Sequence, residues 1–308
     1  MKKKILICIL IAFIVFTIGQ IKLNAYAEEN KKMISFGDSI TYGYLVENNV
    51  SYVKLFAQNQ GYTLTDYSVV GMDSNELYEF ISTTEIDYNV DLITLWIGGN
   101  DFLKAMDNIA HENEIDINNL SVEDYSKVKT LFASDNFRNK MQNVIKNYKS
   151  NFDKILNHIQ KNANCEIYIF NQYNPYTGIS IINPDDNSIL NLGLYTEEWI
   201  LKLNECMIGE NIKLIDTFTL IEKTPDCINA NVNVLTGEYN LDPHPNLKGQ
   251  NTIYNEFLKV YNTNPEEPDI NNGNNSILIP IIIILSSILV VLSITIVIIL
   301  LRKNQHKN

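Results

Sequence analysis

The sequence predicts an α/β fold, a parallel sheet with helices on both faces. Two observations predict it. Short apolar runs of strand length alternate with longer segments whose apolar residues recur every three to four positions, and the first three runs end in glycine-bearing turns. Strands separated by helices pair in parallel, and a parallel sheet is buried on both sides.

The first strand is Met33 to Phe36, which runs into Gly37-Asp38-Ser39. An amphipathic stretch with Tyr52, Val53, Leu55 and Phe56 follows. Leu64 to Val70 reads as the second strand, closed by Gly71, with a helix starting near Ser74. Asp91 to Ile97 is the third, closed by Gly98-Gly99-Asn100-Asp101. Residues 102–133 are long for a crossover and acidic around His111 to Glu123, and read as a solvated helical excursion or as a lid over a substrate. Phe137, Met141, Ile145, Tyr148, Phe152, Ile155 and Ile159 form one stripe of a long helix, with Ser134 or Asp135 as its N-cap. Cys165 to Phe170 and Ile212 to Ile215 are the fourth and fifth strands, and Ile253, Phe257, Leu258 and Tyr261 share one side of a last helix. Trp96 and Trp199 are expected in the core. If the strand order is 2-1-3-4-5, as in flavodoxin-like sheets, the turns at Ser39, Gly71 and Asn100 are neighbours at the carboxyl edge, where such sheets bind ligands.

The ends of the chain differ from its middle. Residues 28–276 hold all 36 acidic groups and 17 of the 24 basic ones, a formal charge of −19 against −12 for the whole. So acidic a body excludes broad contact with a phosphate backbone, so no nucleic-acid partner is expected. Lys2 to Lys4, the apolar run from Ile5 and Ala25-Tyr26-Ala27 have the order of a secretory signal peptide cleaved after residue 27. The alternative is an uncleaved anchor. Residues 277–301 carry no charge and as a helix would be about 37 Å long, enough to span a bilayer with some tilt. Arg302, Lys303 and Lys307 follow, and a basic flank stays in the cytoplasm. The expected organisation is therefore a signal peptide at 1–27, a domain at 28–261 outside the membrane, a linker at 262–276, a membrane helix at 277–301 and a tail at 302–308. Cys165, Cys206 and Cys227 remain after the leader, so at most one disulfide can form, and they show no metal-ligand spacing.

Four blocks resemble the SGNH (GDSL) hydrolase family: Phe36-Gly37-Asp38-Ser39-Ile40-Thr41, Gly71, Gly98-Gly99-Asn100-Asp101 and Asp242-Pro243-His244-Pro245-Asn246. The resemblance runs over residues 33–261. It implies a three-layer α/β/α sandwich with a five-stranded parallel sheet that hydrolyses esters, with Ser39 as nucleophile and His244 as base. It further implies an oxyanion hole made by the backbone N–H groups of Ser39 and Gly71 and the side-chain amide of Asn100. The family places its Asp three residues before the His; here that position is Leu241, and the carboxylate is Asp242, two before. Either Asp242 or a backbone carbonyl orients the ring.

These residue types suit the chemistry. A serine hydroxyl attacks well only when a base takes its proton, and histidine titrates nearest to neutral pH. A glycine at 71 lets the backbone approach the substrate closely, and an asparagine at 100 donates without a charge to desolvate. Of the four histidines, His306 lies in the tail, His111 in a polar run and His158 off its helix's apolar stripe, which leaves His244. The expected activity is a cell-surface serine esterase or acyl hydrolase that needs neither a metal nor an organic cofactor. O-acetyl sugars, lysophospholipids and simple lipids are all open as substrates. The rivals are a metal-dependent phosphoesterase, which needs several His and Asp ligands, and an inactive binding module on the same fold.

Overall fold

The computed structural model describes residues 31–117, 122–183, 186–233 and 238–263. From the first of these, β1 (Lys31–Gly37) leads into the short α1 (Ser39–Tyr42), α2 (Tyr52–Gln60), β2 (Tyr62–Asp66), α3 (Ser74–Thr83), β3 (Leu92–Trp96) and α4 (Gly99–Glu112). Then come α5 (Val122–Ala133), α6 (Asp135–Asn162), β4 (Glu166–Phe170), α7 (Leu192–Glu205), β5 (Ile212–Ile215), α8 (Thr217–Glu222) and α9 (Leu247–Thr263). The five strands pair in parallel in the order β2-β1-β3-β4-β5, the predicted 2-1-3-4-5. Gly37 stands opposite Trp96, so β1 and β3 end level and hand their following turns to one edge.

Alternation within the strands makes two cores. Ile34 and Phe36 of β1, Ile93 and Leu95 of β3 and Ile167 and Ile169 of β4 meet α3, α4, α6 and α7 on one face. The other face is aromatic: Trp96 stacks on Phe170 at 5.1 Å, Tyr52 of α2 packs against both, and Phe257 of α9 lies 3.9 Å from Phe56. Helices on both faces make three layers. Each buried aromatic ring removes a large apolar area from water, the main drive for closing the sandwich. Trp199 is buried with α7, and Ser134 caps α6 by accepting from the Phe137 N–H.

Three local expectations change. The second strand ends at Asp66, not Val70, because the Ser68 N–H and Oγ both turn to the Asp66 carboxylate. The chain still runs beside β1, with the Tyr67 and Val69 N–H groups donating to the Ser35 and Gly37 carbonyls, and so carries residues 67–71 toward Ser39. The excursion at 102–133 is helical but not simply solvated. Phe102, Ile109 and Ala110 are buried, and Ala110, Tyr125 and Val128 share a small core with Ile179, Ile181 and Leu190. Ile181 and Leu190 belong to a hairpin, Ser180–Ile182 with Ile189–Asn191, which Ile179 directly precedes; strand-length periodicity predicted neither this hairpin nor α7 nor a second hairpin, Asn231–Val232 with Tyr239–Asn240.

The chain divides into two units at Leu258, and of the second only the end of α9 is described. Among the described residues no helix is long and apolar enough to cross a membrane. The expected signal peptide at 1–27, the membrane helix at 277–301 and the tail at 302–308 lie outside the described residues, as does residue 264 onward of the expected linker.

Candidate active site

Ser39 is the first residue of α1, directly after β1. Asp38 caps that helix by accepting from the Ile40 N–H at 2.9 Å, which fixes the turn and aims Ser39 at the sheet edge. Gln250 of α9 ties the helix to its surroundings. Its Nε2 donates to the Ile40 carbonyl at 2.9 Å and its Oε1 accepts from the Tyr52 N–H at 2.9 Å. It is fully buried and spans α1, α2 and α9 with both ends satisfied, so it sets where the last helix sits relative to the serine.

His244 approaches from the other side, in the loop before α9. An isolated bridge pairs Ile228 with Pro245, the Asn229 N–H donates to the His244 carbonyl and Tyr173 Oη donates to the Pro243 carbonyl at 2.7 Å. So held, His244 Nε2 lies 2.9 Å from Ser39 Oγ, across 205 positions of chain. The other ring nitrogen, Nδ1, lies 2.5 Å from Asp242 Oδ1. That same oxygen accepts from the His244 backbone N–H at 3.1 Å, and Asn229 Nδ2 donates to Asp242 Oδ2 at 2.8 Å. With a proton on Nδ1 donated to the carboxylate, Nε2 is left as acceptor for the serine hydroxyl. Among the described residues the partner of the ring Nδ1 is the Asp242 carboxylate. The edge of the half-exposed Tyr44 packs on it, ring centroids 5.0 Å apart.

Asn100 is the second residue of α4, which follows Gly98, whose φ of +127° and close approach to the Tyr148 ring allow no side chain. Its Nδ2 donates to the Met72 carbonyl at 2.9 Å and to Asp38 Oδ2 at 3.3 Å. Gly71 adjoins this group through its neighbour Met72. It has φ +83°, and a Cβ placed there would meet nothing within 4 Å. The left-handed backbone at Gly71 suits glycine, and no protein atom crowds the space a Cβ would take. The Ser39 and Gly71 N–H groups have no acceptor among the described residues.

Two buried carboxyls lie beneath. Burial pushes Asp38 up to about 7, with the nearby Asp101 raising it further against the Ile40 hydrogen bond. Asp101, raised by burial to about 6, accepts from the Ser74 N–H and Oγ and so joins α4 to α3. A cavity beside Ser39, Asn100 and His244 is closed by Phe102, Tyr173 and Leu203. Sequence patterns carried no sign of Tyr173, Gln250 or Asn229, because each acts through a partner far along the chain. Cys165, Cys206 and Cys227 are free thiols. Among the described residues no three His, Cys, Asp or Glu side chains gather as a metal would need.

The family profile described as GDSL-like lipase/acylhydrolase matches residues 35–251. Among solved structures, the lipase Lip_vut3 from a goat rumen metagenome is similar at 16% identity, with a TM-score of 0.52 over 75% of this chain and 97% of that one. Phospholipase A1 from Streptomyces albidoflavus NA297 is similar at 12% identity, with a TM-score of 0.51 over 76% and 99% of the two chains. At such identities the likeness is one of fold. No curated protein matches the chain.

Proposed function

This chain belongs to the GDSL-like lipase/acylhydrolase family and is a hydrolase acting on ester bonds, and from that membership we propose a serine esterase or acyl hydrolase working through Ser39, His244 and Asp242. The unbroken hydrogen-bonded chain from Ser39 Oγ through the His244 ring to Asp242 carries this reading, and it favours an enzyme over a binding module. Ser39 Oγ attacks the ester carbonyl carbon while its proton passes to His244 Nε2, and Asp242 stabilises the imidazolium. The tetrahedral intermediate then breaks its bond to the alcohol, which leaves with the proton from Nε2. Water, deprotonated by the same nitrogen, attacks the acyl-serine and releases the acid.

The oxyanion faces the Ser39 and Gly71 N–H groups, which have no acceptor among the described residues, and Asn100. For Asn100 to join them, its amide proton must turn from Asp38, the longer of its two contacts. The experiment is hydrolysis of a nitrophenyl ester by the full chain in detergent. Ser39→Ala and His244→Ala should each lower kcat by at least about 10⁴, and a fluorophosphonate should label Ser39. Labelling at another serine overturns the assignment.

We place the domain on the outer face of the cell membrane, held by residues 277–301 and exported by residues 1–27, on the charge asymmetry of the sequence. The substrate is then an ester outside the cytoplasm. Resistance of the chain to alkaline extraction, and its release when 277–308 are deleted, is the expected result. A wild-type chain found in the soluble fraction overturns it.

A further inference from the structure

We propose that Tyr44 is a positioning residue for the base: its ring keeps the His244 imidazole in place while Ser39 is acylated and has no proton with which to hold it. This rests on the esterase reading above and adds a residue to it. Tyr44 is joined to both partners of the reaction. Gly43, at φ +83°, ends α1 in the left-handed region. The Tyr44 N–H donates to the carbonyl of Ser39 itself at 2.9 Å, and the Gly43 N–H donates to the Ile40 carbonyl at 3.2 Å. That pair of bonds is the Schellman ending of a helix. The Tyr44 ring meets the His244 ring at 64°, with centroids 5.0 Å apart. Next, Leu45 stands at φ +62°, a conformation that is strained for leucine, although its side chain is 59% exposed and gains little from burial. Val46 is buried, and its N–H donates to the Gly43 carbonyl at 3.2 Å. Such strain persists only where the surroundings over-determine the chain. Leu45 bears it between two fixed contacts, Tyr44 on the imidazole and Val46 in the core.

The reaction itself shows when this contact matters. In the free enzyme the imidazole has a partner at each nitrogen, Asp242 at Nδ1 and Ser39 at Nε2. Acylation removes the second, because an esterified Oγ has no proton to donate, and leaves Asp242 as the ring's hydrogen-bond partner among the described residues. Water must then pass a proton to Nε2 as its oxygen bonds to the acyl carbon. The tetrahedral intermediate breaks its bond to Oγ, which takes that proton back, and the acid leaves. A ring held at one nitrogen swings about it, and a displacement of about 1 Å can cost on the order of 10² in rate. The contact with Tyr44 involves no proton, so acylation does not remove it. Its support therefore falls mainly on deacylation.

The test is turnover of nitrophenyl acetate by the full chain in detergent, with acid quench and mass spectrometry of the Ser39 peptide to read how much of the serine is acylated. Tyr44→Ala should lower kcat about three- to tenfold. Its acylated fraction at saturation should equal or exceed that of the wild type, because deacylation is the step that loses its support. Tyr44→Phe, which keeps the ring, should restore both values. A variant that merely folds less well lowers kcat and the acylated fraction together, and that result overturns the role. A loss of less than threefold in kcat for Tyr44→Ala, whatever happens to KM, overturns it too, and either outcome leaves the esterase reading intact. No turnover and no acylated Ser39 in the wild type defeats the esterase reading itself.

Discussion

Asp242 Oδ1 holds both the backbone N–H and the ring Nδ1 of His244, at 3.1 and 2.5 Å, although only Pro243 separates the two residues. A carboxylate two residues ahead that bonds the following backbone N–H makes an Asx turn. That turn brings the same oxygen up to the imidazole, so the shorter spacing reaches the ring by a different local path. Asp242→Ala should lower kcat by about 10² to 10⁴ with little change in KM, because the histidine loses both its orientation and its counter-charge. Asn229→Ala, which frees the outer oxygen of Asp242, should have a smaller effect on kcat. Steady-state kinetics of the two variants decide it, and full activity in Asp242→Ala would remove the carboxylate from the mechanism.

Asn100→Ala removes an uncharged donor and leaves the Met72 carbonyl without its partner. The loss expected for an oxyanion donor is on the order of 10² to 10³ in kcat. Asn100→Asp keeps the shape but puts a carboxylate beside the buried Asp38, and should be no better than alanine. A rise in KM alone, with kcat kept, would assign Asn100 to substrate binding instead.

Asp38 and Asp101 make stability depend on pH. Burial raises Asp38 to about 7 and Asp101 to about 6, from an ordinary 3.8. Both groups hold their proton more tightly folded than unfolded. Their contribution is thus fully present below about pH 4 and is lost as pH rises toward 7. Asp73 and Asp216, held low by hydrogen bonds that outweigh their burial, act in the opposite sense but only in the acid range. Thermal unfolding should therefore occur ~5–10 °C lower at pH 8 than at pH 5. Asp38→Asn should flatten most of that slope. A wild type whose Tm rises between pH 5 and 8 contradicts the burial of these carboxyls.

Tyr173→Phe deletes the hydroxyl that donates to Pro243 and leaves that carbonyl without its donor. A stability loss of about 1–3 kcal/mol is expected. Because the hydroxyl fixes the His244 loop, kcat should fall several-fold as well. Denaturant unfolding and kinetics of one preparation separate the two effects, and an unchanged kcat would make Tyr173 a wall of the cavity only.

Gly71→Ala tests why glycine stands there. With open space around the missing Cβ, the only penalty is the positive φ, about 1–2 kcal/mol for an alanine. A Tm lower by roughly 2–8 °C is expected. A much larger loss would mean that a close approach, not backbone conformation, requires the glycine.

Several features were readable in the chain because they are local. Strand-length apolar runs, the stripe from Phe137 to Ile159 and the Ser134 cap depend on neighbours within a few residues, and the structure has all three. The second strand overran to Val70 because its apolar end hid a competing hydrogen bond at Ser68. Helix α7 went unread, although Trp199, Ile200 and Leu203 have helical spacing, and the missing helix took the far wall of the cavity with it. Gln250 looked like an ordinary polar residue of the last helix; only its partners at Ile40 and Tyr52 mark it as the link between the serine and the histidine elements.

By itself the sequence determined the order of the five sheet strands, the three turns at the sheet edge and which side chains are candidates for the chemistry. Periodicity and turn preference act over a few residues, so one chain displays them. Only the tertiary structure decided that Asp242 meets the His244 ring, that Asn100 is shared between Met72 and Asp38, and that α4 and α7 line the cavity beside Ser39. Those are contacts between segments brought together by packing, and a distance across 205 residues has no trace in the spacing of either end.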